Sequence, residues 1–226
     1  MASEPRVGAI LSRSFYARDS VTVARALLGQ RLVRVLHGVR LAGWITETEA
    51  YAGPNDPASH AYRRTPRSSI MYGQPGHAYV YFVYGTHHCL NAVTDVDGVP
   101  GAVLIRALIP QEGLELMRQN RGLPSQTITR MERGIADGPG KLCRALGITL
   151  SENGLDLTEN TQLYIEAGVT VPADEIQVTP RIGVRGDEET RARPWRFVWL
   201  LASLRHQPPQ GRNFGRSEHK RNPHKH

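Results

Sequence analysis

Trp44-Ile45-Thr46-Glu47-Thr48-Glu49-Ala50-Tyr51 opens the stretch on which the reading of the fold turns. It continues through Pro57-Ala58-Ser59-His60 and Arg64-Thr65-Pro66-Arg67 to Pro75-Gly76-His77-Ala78-Tyr79-Val80-Tyr81-Phe82-Val83-Tyr84-Gly85, and closes at Asn91. Alternate side chains of a strand share a side, so the first eight residues send Glu47, Glu49 and Tyr51 to one face. Unpaired charges are seldom buried, which makes two carboxylates and an aromatic an odd core face. Taken alone, the segment reads as well as a solvated face with ordinary acidic residues.

On either side of this strand the pattern is also one of short strands. Arg31 to Leu36 alternates apolar positions, His37-Gly38 turns the chain, and Arg40 to Ala50 returns. Ala78 to Tyr84, Cys89 to Thr94 and Gly101 to Leu108 give three more strands in hairpin order, so antiparallel pairing is expected. Leu163 to Glu166, Arg181 to Val184 and Arg196 to Leu200 are read as a last group of strands. Between the second and third strands, Gly53 to Gly76 is rich in proline and lacks a period. Loops of that length in compact domains usually serve a function.

Helical spacing flanks this sheet. Asp19-Ser20 supplies an N-cap for a helix through Leu28, with Val21, Ala24, Leu27 and Leu28 on one side. Glu112 to Asn120 is a short helix, and Gly138-Pro139-Gly140-Lys141 enters another that stops at Gly147. The expected architecture is α+β, a single mixed domain around a largely antiparallel curved sheet with flanking helices. Residues 15–205 form that domain, 1–14 are expected to be a flexible leader, and 206–226 a disordered basic tail.

Composition narrows the function classes. The chain has 226 residues, 28 Lys and Arg against 21 Asp and Glu, and a formal charge of +7. A basic protein of this size is suited to polyanions. Its longest apolar runs, Ala102 to Ile105 and Phe197 to Ala202, are far too short to span a bilayer, and Met1 to Arg6 is no signal peptide. A cytosolic or nuclear setting, without secretion or a membrane, is expected. Cys89 and Cys143 have neither disulfide-framework nor zinc spacing. Adjacent His87 and His88 would point to opposite faces of a strand, so no metal is expected.

Glu47 to Tyr51, Ala58-Ser59-His60, Thr65-Pro66-Arg67, Pro75 to Tyr81, Tyr84-Gly85, Val103 to Leu108 and Gly138 to Leu142 occur together and in order. This series closely resembles the alkyladenine (3-methyladenine) DNA glycosylase family, from about Phe15 to Leu200. The resemblance implies an enzyme that hydrolyses N-glycosidic bonds. It implies that a damaged purine nucleotide is flipped from double-stranded DNA into an aromatic pocket and excised by water attack. It also implies no cofactor, and a monomer is expected.

By motif position the resemblance makes Glu49 the general base and Arg106 its partner. Tyr51, His60, Tyr81 and Asn91 become the base pocket, and Tyr84 the wedge that fills the gap in the duplex. Arg63, Arg64, Arg67, Gly140 and Lys141 are expected at the DNA backbone. Glu47 is expected in a supporting role. The residues by themselves leave plainer readings open: a cross-strand Glu49–Arg106 ion pair, a rim tyrosine at 84, core tyrosines, and an ordinary helix start at Gly140-Lys141. Two departures stand out, Ser68 where the family pattern has Asn and Thr86 where it commonly has Met. Rival functions are a bifunctional glycosylase-lyase, a non-catalytic nucleic-acid-binding protein of the same fold, and a metal-dependent hydrolase of nucleosides.

Overall fold

The computed structural model describes residues 6–124 and 134–200. Its centre is β2 (Val39–Ala52), long enough to serve several neighbours at once. It pairs with β1 (Arg31–Leu36), β5 (Gly101–Glu112) and β8 (Arg196–Trp199), all antiparallel. The sheet runs outward from β5 to β4 (His87–Thr94) and β3 (Ala78–Val83), and from β1 to β6 (Leu163–Glu166). β7 (Ile176–Thr179) pairs with β8 beyond that path, making eight strands among the described residues. This is the expected α+β architecture on a largely antiparallel sheet.

Two register shifts in the centre of the sheet decide where one arginine points. Between β2 and β5, Ile45 faces Leu108 and Glu47 faces Ala107, which leaves Thr46 over; Thr48 then faces Ile105, which leaves Arg106 over. The second shift cancels the first. A bulge turns a side chain away from the regular pleat, and Arg106 is thereby aimed between Glu47 and Glu49.

The main core lies on one side of the sheet. There α2 (Ser20–Ala26), capped by the Asp19 side chain, buries Val23 and Ala24 against the strands, and Thr48 Oγ1 donates to the Ala24 carbonyl at 2.7 Å. An N-cap of this type is worth about 1 kcal/mol. α3 (Leu114–Arg121) and α4 (Pro139–Leu146) add Met117, Leu142, Ala145 and Leu146 to the same core, and α4 ends at a left-handed Gly147 as expected. Two shorter helices complete the set among the described residues, α1 (Arg13–Tyr16) and α5 (Glu188–Ala192).

The opposite face of β3, β4 and β5 is covered by the segment expected as a long loop. It is a loop in its path, but it contains two short 3-10 turns, His60–Tyr62 and Ser69–Tyr72. Ala61 and Met71 pack from these turns onto Tyr79, Val93 and Ala102, forming a second small hydrophobic cluster.

Two local expectations need correction. Arg181 to Val184 is not a strand; the strand of this region is β7, and Arg181 begins an irregular segment after it. The ladder edge of β8 is taken by Ile176–Thr179 and not by residues 181–184. The leader is also held where it is described. Leu11 is buried and its N–H donates to the Ile165 carbonyl, while Ile10 bridges to Glu166 beside β6. The basic tail from 206 lies outside the described residues.

Candidate active site

Strand alternation builds the site. Tyr51 on β2, Tyr79 and Tyr81 on β3, Cys89 and Asn91 on β4, and Leu104 and Arg106 on β5 all project to the side away from the main core. There they line a cavity of about 600 Å³. This is an ordinary size for a small-molecule or base-binding site. The turn at 57–60 forms one wall and the segment 182–185 another, while Pro139 closes one edge.

Glu49 lies one hydrogen bond behind the cavity wall. Its side chain has no exposed surface, and its carboxylate is fixed by groups that do line the cavity. The Tyr51 hydroxyl donates to Oε2 at 2.9 Å, Arg106 Nη1 donates to the same oxygen at 3.2 Å, and the Ile182 N–H donates to Oε1 at 2.7 Å. A carboxylate can accept about four hydrogen bonds, so one acceptor position on Oε1 stays open. Arg106 is itself held by Glu47, whose Oε1 accepts from Arg106 Nε and from Arg196 Nε, each at 2.7 Å. Burial works against the Arg106 charge, but Glu49 and Glu47 outweigh it and push its pKa up. Glu47 thus tethers two arginines.

The pocket residues expected from the motifs are brought together. His60 and Tyr81 stand edge to face with ring centroids 4.6 Å apart, and His60 Nδ1 shares a 2.8 Å hydrogen bond with the Tyr79 hydroxyl. Burial and then the nearby Arg67 charge lower the His60 pKa, keeping its imidazole neutral. Burial, and then Glu49, raise the Tyr51 pKa, so its hydroxyl remains a donor. Asn91 is buried and gives one N–H to the Tyr79 carbonyl at 3.0 Å.

Tyr84 stands at the rim, 82% exposed, on the turn that joins β3 to β4. The Thr86 N–H closes that turn onto the Val83 carbonyl, with Tyr84 at φ 54° and Gly85 at φ 66°. A tyrosine in the left-handed region costs on the order of 1–3 kcal/mol. The turn therefore carries strain to hold a large ring in open solvent.

The residues expected at a DNA backbone are less uniform. Arg63 is exposed. The Arg64 guanidinium sits 4.9 Å over the Tyr72 ring, and that of Arg67 sits 4.8 Å over Tyr81. Lys141 pairs with Asp137 at 2.9 Å. At Gly140 a β-carbon would lie 2.9 Å from the His87 ring, so glycine is needed there for the hairpin to meet α4. Ser68, the departure from the family pattern, is buried, and its Oγ bonds the Thr65 N–H and hydroxyl and the Arg63 carbonyl. It stitches the turn that carries the three arginines.

Sequence reading missed one group entirely. The Arg181 side chain is fully buried and forms a two-pronged ion pair with Asp56, including a 2.9 Å bond from Nη2. Its Nη1 also donates to the Ala50 carbonyl at 3.0 Å. The guanidinium lies 4.8 Å from the Tyr51 ring centroid and 5.0 Å from that of Trp195. Arg181 thus backs the Tyr51 wall and fixes the segment whose next N–H, from Ile182, reaches Glu49. Its signals were an arginine and an aspartate 125 residues apart, the aspartate in a loop of no clear period and the arginine at the start of a segment that reads as a strand. Among the described residues no group of three or more His, Cys, Asp or Glu is placed to hold a metal ion, and no helix is long and apolar enough to cross a membrane.

Known proteins resemble this chain over most of its length. The methylpurine-DNA glycosylase (MPG) family model matches residues 14–201. A protein of Bacillus cereus (strain G9842) is 47% identical over 195 residues, covering 82% of this chain and 93% of that protein. A protein of Bacillus cytotoxicus is 47% identical over 194 residues with the same coverage, and one of Bacillus anthracis is 45% identical over 195. All three carry the name "Putative 3-methyladenine DNA glycosylase". A carboxylate–arginine pair behind an aromatic cleft, a projecting rim tyrosine and a match spanning nearly the whole described chain lead to one conclusion: the chain belongs to the methylpurine-DNA glycosylase family, enzymes that hydrolyse N-glycosidic bonds in DNA.

Proposed function

We propose that this protein is a monofunctional glycosylase that flips an alkylated, deaminated or etheno-bridged purine nucleotide out of duplex DNA and hydrolyses its glycosidic bond. The flipped base enters the cleft between Tyr51 and His60, with Tyr81 and Asn91 against its edges. Tyr84 takes the vacated place in the stack. Extrusion of a damaged nucleotide costs roughly a few kcal/mol, which stacking on the rings and the wedge offsets.

The observation that carries this reading is the Glu49 carboxylate, held by three donors that belong to the wall of the aromatic cleft. In the reaction a water oxygen bonds to C1′, the bond from C1′ to the purine nitrogen breaks, and its electron pair leaves with the base. The water proton passes to Glu49. The same carboxylate stabilises the positive charge that builds on the sugar. Because Glu49 has no exposed surface, the water reaches it at the open position on Oε1, or by displacing the Tyr51 hydroxyl or the Ile182 N–H.

A water mechanism is favoured over an imine-forming one because no lysine lines the cavity among the described residues. The buried Glu49, held by three donors, favours one rival, a DNA-binding protein without catalysis, in which the network is purely structural. Incubation with duplex oligonucleotides carrying single damaged purines, with mass spectrometry of the released bases, separates the two. We expect free damaged bases and intact abasic strands. Binding without release supports the rival, and a borohydride-trapped enzyme–DNA adduct would establish the lyase. The bacterial sources of the relatives fit a cytoplasmic setting, and we expect the chain to act as a monomer.

A further inference from the structure

The fixed charges around the cleft do not cancel. Arg106 and Arg196 are matched by Glu47 and Glu49, and Arg181 by Asp56. Arg67 is different: among the described residues no carboxylate lies within ion-pair distance of it. Its guanidinium is centred 4.8 Å from the middle of the Tyr81 ring, and its Nη2 lies 3.4 Å from the Phe82 carbonyl oxygen. Tyr81 lines the cavity and Arg67 does not, yet the Arg67 charge also acts on His60 and Tyr79 of the same cavity wall. Arg185, on the cavity wall, adds a second cation with no carboxylate in reach among the described residues.

This placement has two effects. A ring's negative face attracts a cation, and a guanidinium already resting on Tyr81 depletes what that ring can offer a charged base beside it. Unscreened positive charge also repels a cation directly. Alkylation at a purine ring nitrogen such as N7 or N3 leaves the nucleoside with a fixed positive charge. Deamination or an etheno bridge leaves the base neutral.

Resting on the glycosylase reading, we propose that Arg67 is a specificity-determining residue whose uncompensated charge on Tyr81 biases the cleft against cationic purines and toward neutral ones. Its role is then at the base pocket and not at a phosphate. In a surface-like dielectric, one such charge is worth on the order of ten-fold in selectivity.

The test is single-turnover excision from duplexes identical except for the lesion, 7-methylguanine as the cationic base and hypoxanthine as the neutral one. The wild-type protein is compared with Arg67→Gln and Arg67→Lys. Arg67 is exposed, so both variants should fold, and circular dichroism checks this. We expect Arg67→Gln to raise the ratio of 7-methylguanine to hypoxanthine excision about ten-fold, and Arg67→Lys, which keeps the charge, to leave the ratio near that of wild type. Equal loss of both rates in Arg67→Gln with an unchanged ratio would mean that Arg67 holds DNA and not the selectivity, and the proposal fails. A lysine variant that behaves like the glutamine variant also overturns it, because charge is then not the cause. Release of neither base by the wild-type protein overturns the glycosylase reading itself.

Discussion

Glu49 is braced on both oxygens, and that arrangement defines what its replacement should do. Glu49→Gln keeps the shape and one acceptor oxygen, which can serve the Arg106 side or the Ile182 N–H but not both, and the amide cannot take a proton from water. We expect the variant to bind lesion duplexes within a few-fold of wild type and to lose about 10²-fold or more in single-turnover base release. Release at the wild-type rate would remove Glu49 from the mechanism. The placement of Glu47, Glu49 and Tyr51 on one side was legible in the sequence because a strand's period of two assigns faces without any tertiary information. The Ile182 donor was not legible, since a backbone N–H carries no sequence signal and 133 residues separate it from its acceptor.

The β3–β4 hairpin and the segment after β7 are the elements on which the site depends. At the hairpin tip, Tyr84 has nothing to do for the fold: it is 82% exposed at a strained φ. Tyr84→Ala should therefore leave stability unchanged within about 0.5 kcal/mol. It should weaken binding to a lesion in duplex DNA by about ten-fold, and binding to the same lesion in a single strand much less. Equal affinity for the duplex would mean that the ring does not enter the stack.

Arg181 is the opposite case. Breaking a buried pair from one side costs about 3–5 kcal/mol, so Arg181→Met should lower the denaturation midpoint strongly. Pairing it with Asp56→Leu should recover part of the loss, as a double-mutant cycle in denaturant would measure. A stability loss below about 1 kcal/mol would mean the pair is not desolvated. Residues 181–184 look like a strand because Ile182 and Val184 alternate with small or charged residues. The ladder position was won instead by Ile176–Thr179, a choice made by tertiary pairing that local pattern does not contain. The segment 53–76 was legible as a long connection but not as a packed layer, because Ala61 and Met71 find their partners on β3, β4 and β5.

For the molecule as a whole, the net charge of +7 implies binding that releases counterions from DNA. The logarithm of affinity should fall linearly with the logarithm of salt concentration, with nearly the same slope for damaged and undamaged duplexes, because phosphate contacts carry no lesion information. Filter binding or fluorescence anisotropy across a salt series measures this, and a flat dependence would contradict it. The fold class was readable at this scale from the run of hairpin-spaced strands between helical segments. The order β3-β4-β5-β2-β1-β6 was not, since hairpin order says nothing of β5 returning beside β2 or of β6 closing on β1.

Thr46 on β2 and Arg106 on β5 are paired offsets in the ladder, one on each strand, and each undoes the other. Loss of the codon for Thr46 would take out only the surplus residue and leave Ile45 opposite Leu108 and Glu47 opposite Ala107 as they stand. Loss of a codon between 47 and 50 would instead carry every later side chain of β2 to the other face. Changes of length in each strand are therefore confined to the one position that its neighbour leaves unmatched.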